Sequence, residues 1–185
     1  MLPMSTKFAM PPLADALPAG AFEIVPGRDE IPTIVVPVAE IAKICRILRD
    51  HPGLQFDVCL DVTAADYFPR APRFHVVYHL VSLSRTFTLR VKVIIGDGIE
   101  VPTIFTVWPS ANWQEREVWD LFGIVFTGHP NLTRLLTPDD WEGHPLRKDY
   151  PTQVKLPVRT YEPLQLTAEE FAANMEADRR NRPTS

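Results

Sequence analysis

Apolar and polar positions alternate along the middle of the chain. Leu54, Phe56, Val58, Leu60 and Val62 are interleaved with Gln55, Asp57, Cys59 and Asp61, the period-2 mark of a strand with one face covered. Phe74 to Leu83 is apolar on both parities, which predicts a more central strand. Phe87, Leu89, Val91, Val93 and Ile95 alternate with Thr86, Thr88, Arg90 and Lys92, and the short Ser84-Arg85 link makes these last two strands a hairpin. Ile99 to Val107, interrupted by Pro102, reads as an edge segment after the Gly96-Asp97-Gly98 turn. Ahead of the strands the period changes to that of a helix. Pro37 opens it, Val38, Ile41, Ile44, Cys45 and Leu48 form one stripe, and His51-Pro52-Gly53 stops it.

A second helix is expected from Asn112 to Phe122. Asn112 and Glu115 have capping-box spacing, and Gly123 suits the C-terminal cap. Thr137-Pro138-Asp139-Asp140 reads as the start of a one-turn helix in a turn-rich stretch that runs to Tyr150. The fold class expected is α+β: a mainly antiparallel three- to four-stranded sheet covered by helices on one face, with a turn-rich docking segment and extended tails. The parts are an irregular arm (1–33) with a short edge strand near Phe22 to Val25, a core (34–108), a Trp/Arg-rich segment of the same domain (109–151) and a tail (152–185). Thr167 to Arg180 could form a short helix in that tail, with Phe171 and Met175 on one thin face.

Composition narrows the function. The chain has 185 residues, 45% hydrophobic and 23% charged, which is ordinary globular material. Its formal charge of −4 argues against a nucleic-acid binder. No apolar run is long enough for a membrane span or a signal peptide, so a cytoplasmic protein able to dock on a membrane complex is expected. Arg outnumbers Lys by 14 to 5, an excess that suits ion pairs and interfaces, and the 19 prolines suggest extended segments laid along a surface. Two cysteines are too few for an iron–sulfur cluster of the chain's own, and a buried, reduced pair is expected. The GxGxxG, Walker A, GxSxG and HExxH patterns are all missing.

Three groups of residues could carry chemistry. Glu115, Arg116, Glu117 and Asp120 share the second helix, as paired acid/base carboxylates or as an interface face whose charges pair locally. Gly128-His129-Pro130 recurs as Gly143-His144-Pro145 near Asp139, Asp140 and Glu142, which is either a metal site or turn chemistry. His75 and His79 share a strand parity without an evident third ligand. All four tryptophans (Trp108, Trp113, Trp119 and Trp141) lie between residues 108 and 141, and Leu146-Arg147-Lys148-Asp149-Tyr150-Pro151 follows them. Trp, Tyr and Arg together mark a protein-binding surface.

The run from Trp108 through Trp113-Gln-Glu-Arg-Glu-Val-Trp-Asp-Leu-Phe-Gly, Phe126-Thr-Gly-His-Pro, Arg134-Leu-Leu and Trp141-Glu-Gly-His-Pro-Leu-Arg-Lys-Asp-Tyr-Pro resembles the C-subunit family of NADH-quinone oxidoreductase, respiratory complex I. The likeness spans roughly Ile34 to Pro157. It implies a member of the hydrophilic arm with no flavin, cluster, nucleotide or metal of its own and no catalytic residue. FMN, iron–sulfur clusters and quinone would lie on other subunits of an assembly that couples NADH oxidation to proton translocation. The implied partners are foremost the quinone-site (D) subunit, with the cluster-bearing B and I subunits nearby, on the cytoplasmic side of the inner membrane. Trp113, Glu115, Arg116, Glu117, Asp120, Gly123, His129, Arg134, Trp141, His144, Arg147, Lys148, Asp149 and Tyr150 would then hold the segment or its docking surface. An equivalent subunit of a membrane-bound hydrogenase, and a free-standing metalloenzyme using the His/carboxylate group, are the alternatives.

Overall fold

The computed structural model of the chain describes residues 13–18, 20–25, 29, 31–151 and 167–181. The chain divides between Pro151 and Thr152 into two units. In the first, α1 (Leu13–Ala16) and β1 (Glu23–Val25) precede β2 (Thr33–Val35), and a 3-10 turn (Val38–Glu40) leads into α2 (Ile41–Asp50). Then come β3 (Val58–Asp66), β4 (Phe74–Ser82), β5 (Phe87–Ile95), β6 (Val101–Pro102), α3 (Ala111–Phe122) and β7 (Phe126–Thr127). The second unit contributes α4 (Ala168–Asn181).

The α+β class stands, but the sheet is larger than the alternation predicts and is mixed. Its order is β1-β2-β5-β4-β3, five strands, with β2 and β5 parallel and every other pair antiparallel. Of the two strands added to the meander, β1 is the short edge strand expected near Phe22 to Val25, whereas β2, where the arm gives way to the core, is unexpected. β2 has three residues between Pro32 and Pro37, too short for alternation to register. The prolines are tolerated because their missing N–H groups are not needed: Pro32 accepts from Arg90 N–H at 2.8 Å, and Val36 N–H donates to the Lys92 carbonyl at 2.9 Å. The stretch expected as an edge strand, Ile99 to Val107, does not join this sheet. β6 pairs parallel with β7 in a separate two-residue ladder.

One sheet face carries the core. Phe74, Val76, Tyr78 and Leu80 of β4 and Leu89, Val91, Val93 and Ile95 of β5 are buried with Ile41, Ile44, Cys45 and Leu48 of α2 and Val118 and Phe122 of α3. Each such side chain contributes about 2 kcal/mol of transfer free energy. The alternation fails in β3, where the register slips between Cys59 and Asp61. That bulge turns Cys59 inward and Leu60 outward, at 61% exposure, opposite to the simple period-2 reading. Both cysteines are free thiols, and burial pushes Cys59 up to about 12 and Cys45 up as well.

The tail helix has a cap that spacing alone would have shown. Glu170 N–H donates to Thr167 Oγ1 at 3.2 Å, and Thr167 N–H to Glu170 Oε2 at 2.9 Å. Phe171 and Met175 on it are exposed. The expected extended parts of the arm and the tail, residues 1–12 and 152–166, lie outside the described residues.

Candidate functional site

Between Thr103 and Tyr150, the regular structure is α3 and the β7 stub, so many turn N–H and carbonyl groups need other partners. Three buried carboxylates and four arginines supply them.

The first lock is Glu115. Its spacing to Asn112 predicts a capping box, yet the residue preceding the helix is Ser110, with no side-chain cap bond. Glu115 instead turns into the core, because position 115 lies on the buried stripe with Ala111 and Val118. Thr103 Oγ1 donates to it at 2.5 Å and Ile104 N–H at 2.8 Å. Burial pushes its pKa up to about 7, against the pull of those two bonds. His129 Nε2 lies 3.9 Å away. That nitrogen is 3.1 Å from the Asn112 carbonyl, which only accepts, so it carries the proton and leaves Nδ1 to accept from Asn131 N–H at 3.1 Å. Burial keeps this ring's pKa below the usual histidine value.

The second lock is Asp120, fully buried on the same helix. It accepts from the N–H groups of Leu135, Leu136 and Thr137 at 3.0, 2.8 and 2.9 Å, from Thr137 Oγ1, and from Arg134 Nη1 at 2.8 Å. Burial raises its pKa, but this ring of donors outweighs burial and holds it well below the usual carboxylate range. Arg134 also donates to the Trp141 and Gly143 carbonyls, so one ion pair fixes residues 134–143 to α3. No one-turn helix forms there; Pro138–Trp141 is a turn. His144 Nδ1 donates to the Asp120 carbonyl at 2.9 Å, and its ring lies over Gly123, where a Cβ would come within 2.5 Å. Gly123, at φ 76°, is thus required both as a left-handed cap and as a floor for His144. Gly143 does the same for Tyr150, which stacks on Trp141 and donates to the Glu142 carbonyl.

The third lock joins Arg147 and Asp149 of the motif to Arg73, Asp66 and Asp97, which the sequence did not single out. Arg73, at the start of β4, binds Asp66 at 2.7 Å, Asp149 at 2.6 Å and Asp97 at 3.1 Å. Arg147 adds Asp97, Asp149 and the Phe122 carbonyl and packs on Phe74. Asp66 also accepts from Lys148 N–H at 2.8 Å. The Arg73 guanidinium holds Asp66 and Asp149 below the carboxylate range, Asp149 at about 2. Asp66 and Asp149 are 83 positions apart, so no local spacing could have announced that one guanidinium joins them.

Of the motif residues, Trp113, Glu117 and Lys148 are the exposed ones that no lock consumes. Trp113 is 60% exposed and lies under the Arg116 guanidinium, 4.9 Å away. Arg116 is held by the Thr133 carbonyl and hydroxyl and the Arg134 carbonyl. Glu117 and the Lys148 side chain are exposed with no hydrogen-bonding or ionic partner among the described residues. The His/carboxylate group does not gather. His129 sits at the first turn of α3 and His144 at its last, eight residues or about 12 Å of helix apart. Among the described residues no three His, Cys, Asp or Glu side chains are placed to hold one metal ion, and no helix is long and apolar enough to cross a membrane.

The arrangement is that of a rigid, internally braced segment, and it lies within the stretch that matches a known family. The family described as respiratory-chain NADH dehydrogenase, 30 Kd subunit, matches residues 34–155. The C subunit of NADH-quinone oxidoreductase from Methylobacterium sp. (strain 4-46) is 45% identical over 165 residues, covering 85% of this chain and 76% of that one. The C 2 subunit of the same enzyme from Rhizobium meliloti (strain 1021) is 44% identical over 132 residues, 71% of this chain and 72% of that one. A chain in the structure of the membrane-bound sulfane sulfur reductase, an archaeal respiratory membrane complex, superposes with a TM-score of 0.64 at 29% identity, covering 76% of this chain and 81% of that one. The chain therefore belongs to the family of the 30 Kd subunit of respiratory-chain NADH dehydrogenase, whose bacterial relatives are C subunits of NADH-quinone oxidoreductase.

Proposed function

We propose that this chain is a structural member of the hydrophilic arm of an NADH-quinone oxidoreductase, and that it works by shape rather than by chemistry. The assembly passes electrons from NADH to quinone through FMN and iron–sulfur clusters carried by other subunits and couples this to proton translocation. This chain docks on the quinone-site (D) subunit, with the cluster-bearing B and I subunits nearby, on the cytoplasmic side of the inner membrane. The observation that supports a non-catalytic role is the fate of the motif's polar groups. Glu115, Asp120 and Asp149, with Arg134 and Arg147, use their hydrogen-bonding capacity inside the chain. A general acid or base needs a face open to substrate. The exposed remainder, Trp113 with Glu117, is the aromatic-and-charge combination of a docking surface.

The test is affinity purification of the tagged chain from membranes in mild detergent, with and without Glu117→Ala. Wild type is expected with NADH-oxidising, flavin- and cluster-bearing subunits. The variant is expected to give less assembled complex with unchanged NADH:quinone turnover per complex. Full assembly with reduced turnover would make Glu117 catalytic and overturn the structural reading. Recovery with nickel-containing hydrogenase subunits would move the chain to a sister assembly.

A further inference from the structure

Six consecutive residues between β3 and β4, Tyr67 to Pro72, are all exposed, and four of them are aromatic or proline. Such a stretch of apolar side chains in water is expected to be covered in the working protein. It is also unusually well braced for a loop. Tyr67 N–H donates to the Arg73 carbonyl and Arg70 N–H to the Tyr67 carbonyl, both at 2.9 Å. Phe68 N–H donates to Asp66 Oδ1 at 2.9 Å. The Tyr67 ring lies on His75 with centroids 4.2 Å apart, and the Phe68 ring, 47% exposed, packs against the Arg73 guanidinium at 5.1 Å. Arg73 is itself clamped by Asp66, Asp97 and Asp149. Both rings are therefore held in one place before any partner arrives, and little ordering entropy remains to be lost on binding.

Charge says what the partner presents. Asp66 brackets the tip to the distant motif, taking Phe68 N–H on one oxygen and Lys148 N–H on the other. Arg70 in the tip and Lys148, whose backbone shares Asp66 with Phe68, are thus exposed cations of the same region, and neither side chain has a partner among the described residues. The carboxylates at hand, Asp66, Asp97 and Asp149, are all taken by Arg73 and Arg147. The patch therefore has surplus positive charge on a chain of net −4. We infer that the β3–β4 tip is a preformed prong that seats Tyr67 and Phe68 in an apolar recess of another subunit, with carboxylates on the rim of that recess meeting Arg70 and Lys148. This rests on the chain being a component of such an assembly. Two free cations are too few for a lipid surface, which is read by larger basic clusters.

The test is made in the whole complex. Phe68 is replaced by p-benzoylphenylalanine in the tagged full chain, membranes are irradiated, and cross-linked peptides are identified. A cross-link to a peptide of another subunit that carries Asp or Glu beside apolar residues is expected. Co-purification of the usual subunits without such a cross-link overturns the prong and leaves the structural reading standing. A cross-link only to lipid, or to a second copy of this chain, also overturns the prong. Failure of even the wild-type chain to co-purify with other subunits overturns both. In parallel, Arg70→Glu/Lys148→Glu is expected to lower retention in the complex about tenfold, as loss of a close interfacial charge pair does. Its thermal midpoint should stay unchanged, since neither side chain has a bonding partner among the described residues. Wild-type retention of this variant would overturn the charge assignment.

Discussion

Asp120→Asn tests the central lock with almost no change of shape. The carboxylate has five donors around it and no acceptor: three N–H groups, the Thr137 hydroxyl and Arg134 Nη1. An amide can satisfy only one side of that ring. If its oxygen faces the three N–H groups, its NH2 is driven against the hydroxyl and the guanidinium. The charge that balanced Arg134 disappears as well. Removing one partner of a buried pair costs about 3–5 kcal/mol. Arg134 keeps the Trp141 and Gly143 carbonyls, at 2.7 and 3.3 Å, so the lower end, about 3 kcal/mol, is expected. In a chain of this size that is a fall of about 10 °C in the melting midpoint. The assay is urea and thermal unfolding of the full chain, with Arg134→Met and the double variant to complete a cycle. The two substitutions should be far from additive. The sign with pH follows from the depressed pKa: the stabilisation is present above the ordinary aspartate range and lost as pH falls through the folded value. Asp120→Asn should flatten this acid limb. A loss below about 1 kcal/mol, or additive effects with Arg134→Met, would refute the lock, since either would mean water satisfies these donors equally well.

Gly123→Ala should cost about 2–4 kcal/mol, because the new Cβ meets the His144 ring at 2.5 Å and φ is 76°. His144→Ala in the same chain should recover the steric part, read as the urea midpoint, and no recovery would place the strain elsewhere. Glu115 acts with the opposite pH sign to Asp120. Its folded pKa is raised to about 7 from 4.5, so the fold loses stability as pH rises between those values, by about 3 kcal/mol in all. Glu115→Gln should remove that slope, and identical slopes in the two proteins between about pH 5 and 8 would refute the assignment.

How much of this was legible depends on how far apart the cooperating residues lie. α2, β4, β5, α3 and the Gly123 cap followed from periodicities and turn residues within about a dozen positions. β2 was not legible, because three residues between prolines leave no period to detect and its parallel partner is more than 50 positions away. The β3 bulge was not legible either, since a register slip needs its partner strand to be seen. At the site, the sequence marked the motif residues as a set but not their directions. Arg147 and Lys148 are neighbours, yet one guanidinium turns in to Asp97 and the Phe122 carbonyl while the other side chain stays in water. Arg147→Glu should therefore strike the third lock first and lower the stability of the chain itself.

The same balance of donors and acceptors explains why a segment with so little regular structure is spelled so densely with charge. Each turn between Thr103 and Tyr150 leaves backbone donors and acceptors without a ladder, and burying one unmet costs about 1–3 kcal/mol. Carboxylates meet the donors: Asp120 takes three N–H groups, Asp66 two and Glu115 one. Guanidinia meet the carbonyls, Arg116 on Thr133 and Arg134, Arg134 on Trp141 and Gly143, Arg147 on Phe122 and Arg49 on Val107. Side-chain charge here replaces the helix and sheet ladders that would otherwise dictate the path of the chain. A surface fixed this way can follow a contour that no helix or strand provides. Asp66 and Asp120 hold their share of it only while ionised, whereas Glu115, raised to about 7, holds its share best when protonated. Acid should therefore loosen the stretches tied to Asp66 and Asp120 before it melts the apolar sheet beneath, and leave the Glu115 end in place.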